Sequence, residues 1–272
     1  MKKNLIIILM LCMSCPLNAQ KVSYKVLEAD VDVHKGFVGL GGAMFLGGAT
    51  VLGISADARA QYDLDQLPLT LWFQGHRELV GVGHIEREGV SYTAKPMELN
   101  LGVMYPLIAG EKENGKVKIV LESSYGVSGG YARSYNRSFK AKGEVKTDIL
   151  AKAGLYSYSS GIASNAGLTL GICRRKREHT KIEYNNYIYD THYDKQLYLD
   201  LIFAPINNLA DEKDDAPNQQ DSELKASVLG ARIGFQQIFY GTRSINYEVS
   251  MRPYSNFYLI TLAARFTFGL AL

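Results

Sequence analysis

Residues 257–270 read Phe-Tyr-Leu-Ile-Thr-Leu-Ala-Ala-Arg-Phe-Thr-Phe-Gly-Leu, and at alternate positions Tyr258, Ile260, Leu262, Ala264, Phe266, Phe268 and Leu270 share one face. Thr261, Arg265, Thr267 and Gly269 share the other. Successive strand side chains point to opposite sides, so this is a β-strand with one apolar, aromatic-tipped surface and one polar surface. The same alternation recurs upstream. Leu52, Ile54, Ala56, Ala58, Ala60 and Tyr62 oppose Ser55, Asp57, Arg59 and Gln61, and Met97, Leu99, Leu101, Val103 and Tyr105 oppose Glu98, Asn100 and Gly102. Residues 166–172, 197–203 and 244–252 repeat it, with weaker matches at 37–47, 67–74, 116–127, 145–155, 182–190 and 227–236. Helical three-four spacing does not recur, so the chain reads as all-β.

The chain begins with Lys2 and Lys3 before the apolar run Leu5–Met13, and Pro16-Leu-Asn-Ala19 then leads to Gln20. A charged start, a short apolar run and a small residue before the cut make residues 1–19 a secretory signal peptide, followed by a polar lead-in over 20–35. The run is too short for a membrane-spanning helix, which needs about 20 apolar residues. No later stretch is longer, so any bilayer crossing falls to strands. Cys15 raises a lipoprotein reading, but the Cys-Met-Ser before it departs from the usual Leu-Ala-Gly type of lipobox.

Without the signal, Cys173 is the remaining cysteine, and the 30 basic residues lose Lys2 and Lys3 to leave 28 against 27 acidic ones. A lone cysteine makes no internal disulfide, and in Gly171-Ile-Cys173 it reads as a small buried side chain. Balanced charge argues against nucleic-acid binding, which calls for a clustered basic excess. The basic run Arg174-Arg-Lys-Arg177 reads as a solvated strand end or a contact to anionic headgroups.

Four arrangements suggest chemistry and lack its context. Gly126-Val-Ser128-Gly-Gly130 matches a nucleophile elbow, with Asp190 and His192 downstream, but the following Tyr131–Arg137 carries no helical stripe. Ser128 or Ser134 with His179 or His192 would make a lipid-acting site at an outer rim, yet His192 falls in an expected inner turn, on the wrong side, and Glu178-His-Thr180 reproduces no known signature. His76, Glu78, His84 and Glu86 are spaced too loosely for a zinc set, and Asp211-Glu-Lys-Asp-Asp215 lacks the spacing of an EF-hand loop. These read as loop residues, so no catalytic residue, metal or cofactor is expected.

The alternating strands, the amphipathic final strand and the tyrosines Tyr62, Tyr105, Tyr125, Tyr156, Tyr247 and Tyr258 at the edges of apolar faces resemble the outer-membrane β-barrel proteins of Gram-negative bacteria, in a Bacteroidetes-like form. The resemblance covers residues 36–272. The family commonly ends its last strand on an aromatic residue, whereas here Gly-Leu-Ala-Leu272 follows Phe268. It implies a closed antiparallel transmembrane barrel. Counting back from a last strand that ends in the periplasm gives about twelve strands, with 75–96, 128–144 and 204–226 as the long outer loops. It also makes 173–181 an outer connection and 191–196 an inner turn. A ten-strand alternative would put 173–196 on the periplasmic side.

On this reading Asp57, Arg59, Glu98, Glu122, Asp148, Lys152, Asp200, Arg232, Glu248, Arg252 and Arg265 point into the lumen. Of these, Asp57, Arg59, Arg232, Glu248, Arg252 and Arg265 are the candidate binding residues. Charges of both signs either pair and hold the lumen closed or line a narrow path for a small, anionic solute. The expected function is non-enzymatic, exercised through outer loops or a partner protein, with outer-membrane lipids and lipopolysaccharide as surroundings. A solute channel is the first alternative, and a lipid-acting hydrolase the second.

Overall fold

The computed structural model describes residues 23–47, 50–64, 66–84, 96–128, 131–159, 163–209, 228–240, 242–251, 253 and 260–272. The signal peptide therefore lies outside the described residues, as do Arg252 and the acidic tract Asp211–Asp215. The strands are β1 (Lys25–Glu28), β2 (Gly36–Gly47), β3 (Thr50–Asp63), β4 (Thr70–His84), β5 (Met97–Ile108) and β6 (Glu113–Ser128). They continue as β7 (Tyr131–Ser159), β8 (Ala163–Tyr184), β9 (Tyr187–Leu209), β10 (Leu229–Phe239), β11 (Arg243–Met251) and β12 (Ile260–Ala271).

Twelve strands form one antiparallel sheet, and ten of them close into a barrel in the order β2-β3-β4-β5-β7-β8-β9-β10-β11-β12. The ring closes where β12 pairs with β2, from Thr261 opposite Gly47 to Ala271 opposite Phe37. Leu272 seals that seam: its carbonyl accepts the Lys35 and Gly36 N–H groups at 2.9 and 3.1 Å, and its own N–H donates to Gly36 O at 2.8 Å. Both ends of the barrel chain thus lie at one rim, called here the termini end.

The apolar faces turn outward. Leu40, Met44, Ile54, Leu101, Leu155, Leu170, Ile172, Leu199, Leu201, Ile233, Leu262 and Phe268 are exposed, while the polar positions between them are buried. This inverts a soluble barrel, in which leucines fill the interior. Tyr62 and Tyr105 point outward near the termini end and Tyr247 does so in mid-strand, but Tyr156 is sealed inside the barrel and belongs to no outer girdle.

Two corrections to the strand count follow from how long β7, β8 and β9 run. The segment 173–181 is no outer loop and 191–196 no turn: both continue strands that pair without a break in register from Leu168 opposite Phe203 to Tyr184 opposite Tyr187. Asn185 and Asn186 close this hairpin with φ of 51° and 64°, the left-handed pair of a tight turn that asparagine tolerates well. The hairpin projects past the termini end.

Residues 116–127 form a strand, but not a barrel strand. β6 pairs with β7 alone, and β7 joins the wall only from Glu144 onward, so β6 and the first half of β7 make a ribbon outside the ring at the termini end. The segment 128–144 is accordingly no outer loop. Beyond His179, β8 loses β7 as a neighbour and takes β1 instead. The ribbon packs on the β8–β9 extension through Ile119, Ala141 and Ile182, with Tyr24, Leu121, Phe139, Tyr184 and Tyr189 around them. A small lobe with its own apolar core thereby hangs from the barrel.

Candidate functional site

Inside the barrel, period-two alternation on each strand delivers polar groups to one space, and the register sets which ones meet. Arg232 on β10 is directly opposite Asp200 on β9, and its Nε donates to Asp200 Oδ2 at 2.7 Å. Lys152 Nζ on β7 reaches the same oxygen at 2.9 Å, and Arg232 Nη1 lies 3.6 Å from Glu98 Oε1. The Lys152 ammonium sits 4.3 Å from the Tyr198 ring centre and 4.7 Å from that of Trp72, so two aromatic faces replace part of its lost water.

A second cluster is continuous with the first. Arg265 on β12 donates to Glu248 Oε1 at 3.1 Å and to Asn246 Oδ1 at 2.9 Å, and its Nε lies 3.5 Å from Asp57 Oδ1. Arg59 Nε donates to Asp57 Oδ2 at 3.1 Å, and its Nη1 crosses the lumen to Gln236 Oε1 at 2.9 Å. Tyr198 Oη donates to Glu248 Oε2 at 2.8 Å, which links the two clusters. Glycine makes room for these groups: a Cβ on Gly171 would lie 2.2 Å from Asp200 Oδ1, and one on Gly234 would lie 2.4 Å from the Tyr198 ring.

The structure therefore brings Asp57, Arg59, Arg232, Glu248 and Arg265 into one interior network. Glu98, Asp148, Lys152 and Asp200 are interior as well. The backbone at Glu122 belongs to the outer ribbon, so that residue is no lumen position. The cavity left beside Arg59, Gln61, Trp72, Lys152, Tyr198 and Gln236 has a volume of about 30 Å³. That is room for about one water molecule. Ten strands enclose little more than their own side chains can fill, and here those side chains are paired charges.

Toward the termini end the network continues through residues that the strand reading left in a loop. Arg175 and Arg177 extend the inward parity of Cys173 on β8, while Arg174 is exposed on the outer face. Arg175 holds Asp63 with both terminal nitrogens, at 2.7 and 2.9 Å, and its Nε donates to Asp194 at 2.7 Å. Arg177 bridges Asp32 at 2.7 Å and Asp148 at 3.2 Å. Carrying the alternation through residues 173–184 would have found both arginines. Beside them opens a cavity of about 380 Å³ at the rim, walled by Asp63, Leu67, Lys146, Leu150, Arg175 and Arg177.

Residues 30–34 lie across this mouth. Val31 is fully buried; its N–H donates to Glu144 Oε2 at 2.9 Å, and the Asp30 N–H donates to His179 Nδ1 at 2.9 Å. His179 must then carry its proton on Nε2, which faces Asp190 Oδ1 at 3.1 Å. Lys112 Nζ clamps Asp30 and Asp32 at 2.8 and 3.0 Å. The hydrogen bond from Lys112 holds the Asp30 carboxyl below its ordinary range. Burial raises Asp32, but the Lys112 hydrogen bond and Arg177 outweigh it and leave that carboxyl lowered.

His192, an expected turn residue, lies inside β9 in a cluster of three rings, its centre 5.4 Å from that of His34 and 4.3 Å from that of Tyr240, with His34 and Tyr240 5.5 Å apart. Both of its ring nitrogens are buried without a hydrogen-bond partner among the described residues. Burial first, then the neighbouring His179, His34, Arg177 and Arg175, push its pKa down to about 2.

The remaining candidates disperse. His76 and Glu78 are buried in β4, inside the barrel and not in an outer loop. Ser128 ends β6 opposite Tyr131 of β7, so the chain passes there from strand to strand and the strand-to-helix turn of a nucleophile elbow is lacking. Cys173 is buried and free.

An apolar exterior, an interior of paired charges and a hydrogen-bonded ring without open edges define a closed antiparallel β-barrel of a kind compatible with insertion in an outer membrane. Comparison with known protein families, with curated proteins and with solved structures finds no match to this chain.

Proposed function

We propose that this chain is an integral outer-membrane β-barrel of a Gram-negative, Bacteroidetes-like cell, exported by its signal peptide, with a closed lumen and no enzymatic role. Its termini end faces the periplasm, and it works through what it holds at its rims: outer loops on one side, and on the other the lobe built from β1, the β6–β7 ribbon and the β8–β9 extension. Lipids of the membrane and lipopolysaccharide surround it, and a protein partner engages the loops or the lobe.

One observation carries the closed lumen. In mid-barrel the interior charges answer one another within hydrogen-bonding or ion-pair distance, and the cavity beside Arg59, Lys152 and Tyr198 is about 30 Å³, against about 380 Å³ at the rim. A permeant ion would have to displace pairs whose partners, once left alone, cost several kcal/mol each by an order-of-magnitude argument.

Conductance of the purified protein in planar bilayers tests this. Wild type is expected to show no steady openings, and Arg265→Ala, which vacates the centre of one cluster, is expected to introduce brief ones. Steady anion-selective openings in wild type, lost in Arg232→Ala, would establish the narrow-channel alternative instead. A protein that stays soluble without detergent and shows no heat-modifiable migration would end the membrane reading.

A further inference from the structure

The β6–β7 ribbon carries a charge arrangement that its own folding does not explain. Lys116 stands opposite Lys142, and Lys118 opposite Lys140. All four are exposed, while Val117, Ile119 and Ala141 between them are fully buried on the other face. The Lys142 N–H donates to Tyr24 Oη at 2.8 Å and not across the ribbon, and Lys118 O accepts from Tyr193 Oη at 3.1 Å. Both rows are therefore of the non-hydrogen-bonded kind, in which opposed side chains sit closest. Like charges so placed destabilise a strand pair. None of the four lysines has a carboxylate at ion-pair distance among the described residues, and Glu144, next on that face, is already engaged by Lys112 and the Val31 N–H.

The direction of this face is fixed by what lies beneath it. The ribbon packs on Ile182 and Tyr193, which share the outward parity of Leu170 and Ile172 on β8 and of Leu197 and Leu199 on β9. The lysine face thus points away from the barrel axis. It also begins close to the apolar belt: Leu107 and Ile108 end the belt on β5, and β6 starts at Glu113. Arg174, two residues past Ile172, and Arg243, at the start of β11, are exposed at the same end. Exposed basic residues thus recur at this rim on β7, β8 and β11, with Glu111 and Glu113 exposed where the ribbon begins.

We propose that the four lysines, with Arg174 and Arg243, dock the barrel on the phosphates of anionic lipid headgroups in the leaflet at the termini end. The proposal rests on the membrane reading above and adds the chemistry of the lipid and the face that meets it. Headgroup phosphates relieve the opposed lysines, and a basic segment beside a membrane is drawn to such a surface within a Debye length.

The test compares the full-length protein in nanodiscs of phosphatidylcholine alone and with one-third phosphatidylglycerol, reading acetylation of each lysine by mass spectrometry. Lys25, exposed on β1 in the lobe, serves as reference. In the anionic discs Lys116, Lys118, Lys140 and Lys142 are expected to react about threefold more slowly or less, with high salt restoring the rate and Lys25 unchanged. Lys118→Gln with Lys140→Gln should remove the lipid dependence at Lys116 and Lys142. Equal rates in both discs would overturn the proposal, as would protection in neutral discs by polyglutamate without protection by phosphatidylglycerol, the result for a soluble acidic partner. Protein that inserts and shows heat-modifiable migration but lipid-insensitive lysines rejects the docking face alone, whereas failure to insert in either disc rejects the membrane reading with it.

Discussion

Arg232 and Asp200 face each other across β10 and β9 and meet at 2.7 Å with both side chains sealed from solvent. Asp200 also receives Lys152, so one carboxylate serves two buried cations. Arg232→Ala is expected to cost about 3–5 kcal/mol in urea unfolding from detergent micelles, since a partner of a buried pair is left uncompensated. Asp200→Asn should cost more than Arg232→Met, because it strands both Arg232 and Lys152 at once.

The outward leucines give a prediction with a depth profile. Leu199 lies between Ile172 and Ile233 on the neighbouring strands, in the middle of the apolar belt. Leu199→Arg should destabilise the barrel in a bilayer by about 2–4 kcal/mol, whereas Phe268→Arg, close to the termini-end rim, should cost about 1 kcal/mol or less. Equal folded fractions of the two variants on unheated gels would argue against a bilayer around this belt.

The segment across the mouth should loosen in acid, in two windows. His192 has a folded pKa pushed down to about 2, so between that value and the ordinary histidine pKa of about 6.5 the unfolded chain holds a proton that the folded one does not. Stability is therefore full above that ordinary value and falls with decreasing pH, by at most about 1.4 kcal/mol per unit. His34, also lowered, chiefly by burial, acts in the same direction. Asp30 and Asp32 are lowered carboxyls, so their contribution persists until the pH falls below the ordinary carboxylate range. Hydrogen exchange of residues 30–34 should accelerate first near pH 6 and again below about 4. His192→Phe keeps the aromatic ring and should weaken only the first step, leaving the share that His34 contributes.

Gly234 leaves space for the ring of Tyr198, and a side chain there has no room to yield. Gly234→Val is expected to cost about 1–3 kcal/mol as an overpacked interior. Displacing Tyr198 also frees Lys152, whose ammonium lies over Trp72, the chain's one tryptophan. Trp72 fluorescence of the folded variant should shift, while Leu199→Arg, on the outer wall, should leave it unchanged.

Much of the interior is legible from alternation. Asp57, Arg59, Glu248 and Arg265 oppose apolar neighbours in short, clear strands, and each side chain turns inward with its set. The long strands are where a local pattern loses its hold. Residues 173–181 interrupt the apolar alternation with the basic run Arg174–Arg177 and read as a loop, yet they pair with β9 residue by residue, because Arg175 and Arg177 find Asp63, Asp194, Asp32 and Asp148 on other segments. Residues 116–127 alternate like any barrel strand, but Ile119 and Leu121 pack on the β8–β9 extension and do not join the outer face of the barrel.

By itself the sequence determined which residues share a face, because opposite-pointing neighbours are a property of the extended backbone and need no partner. It also determined that the repeating elements are strands. Only the tertiary structure decided which faces turn inward, which ten strands close the ring and which charges answer each other, since those depend on contacts such as Arg59 with Gln236, 177 positions apart. An interior of such pairs arises from ring closure, which no single strand encodes.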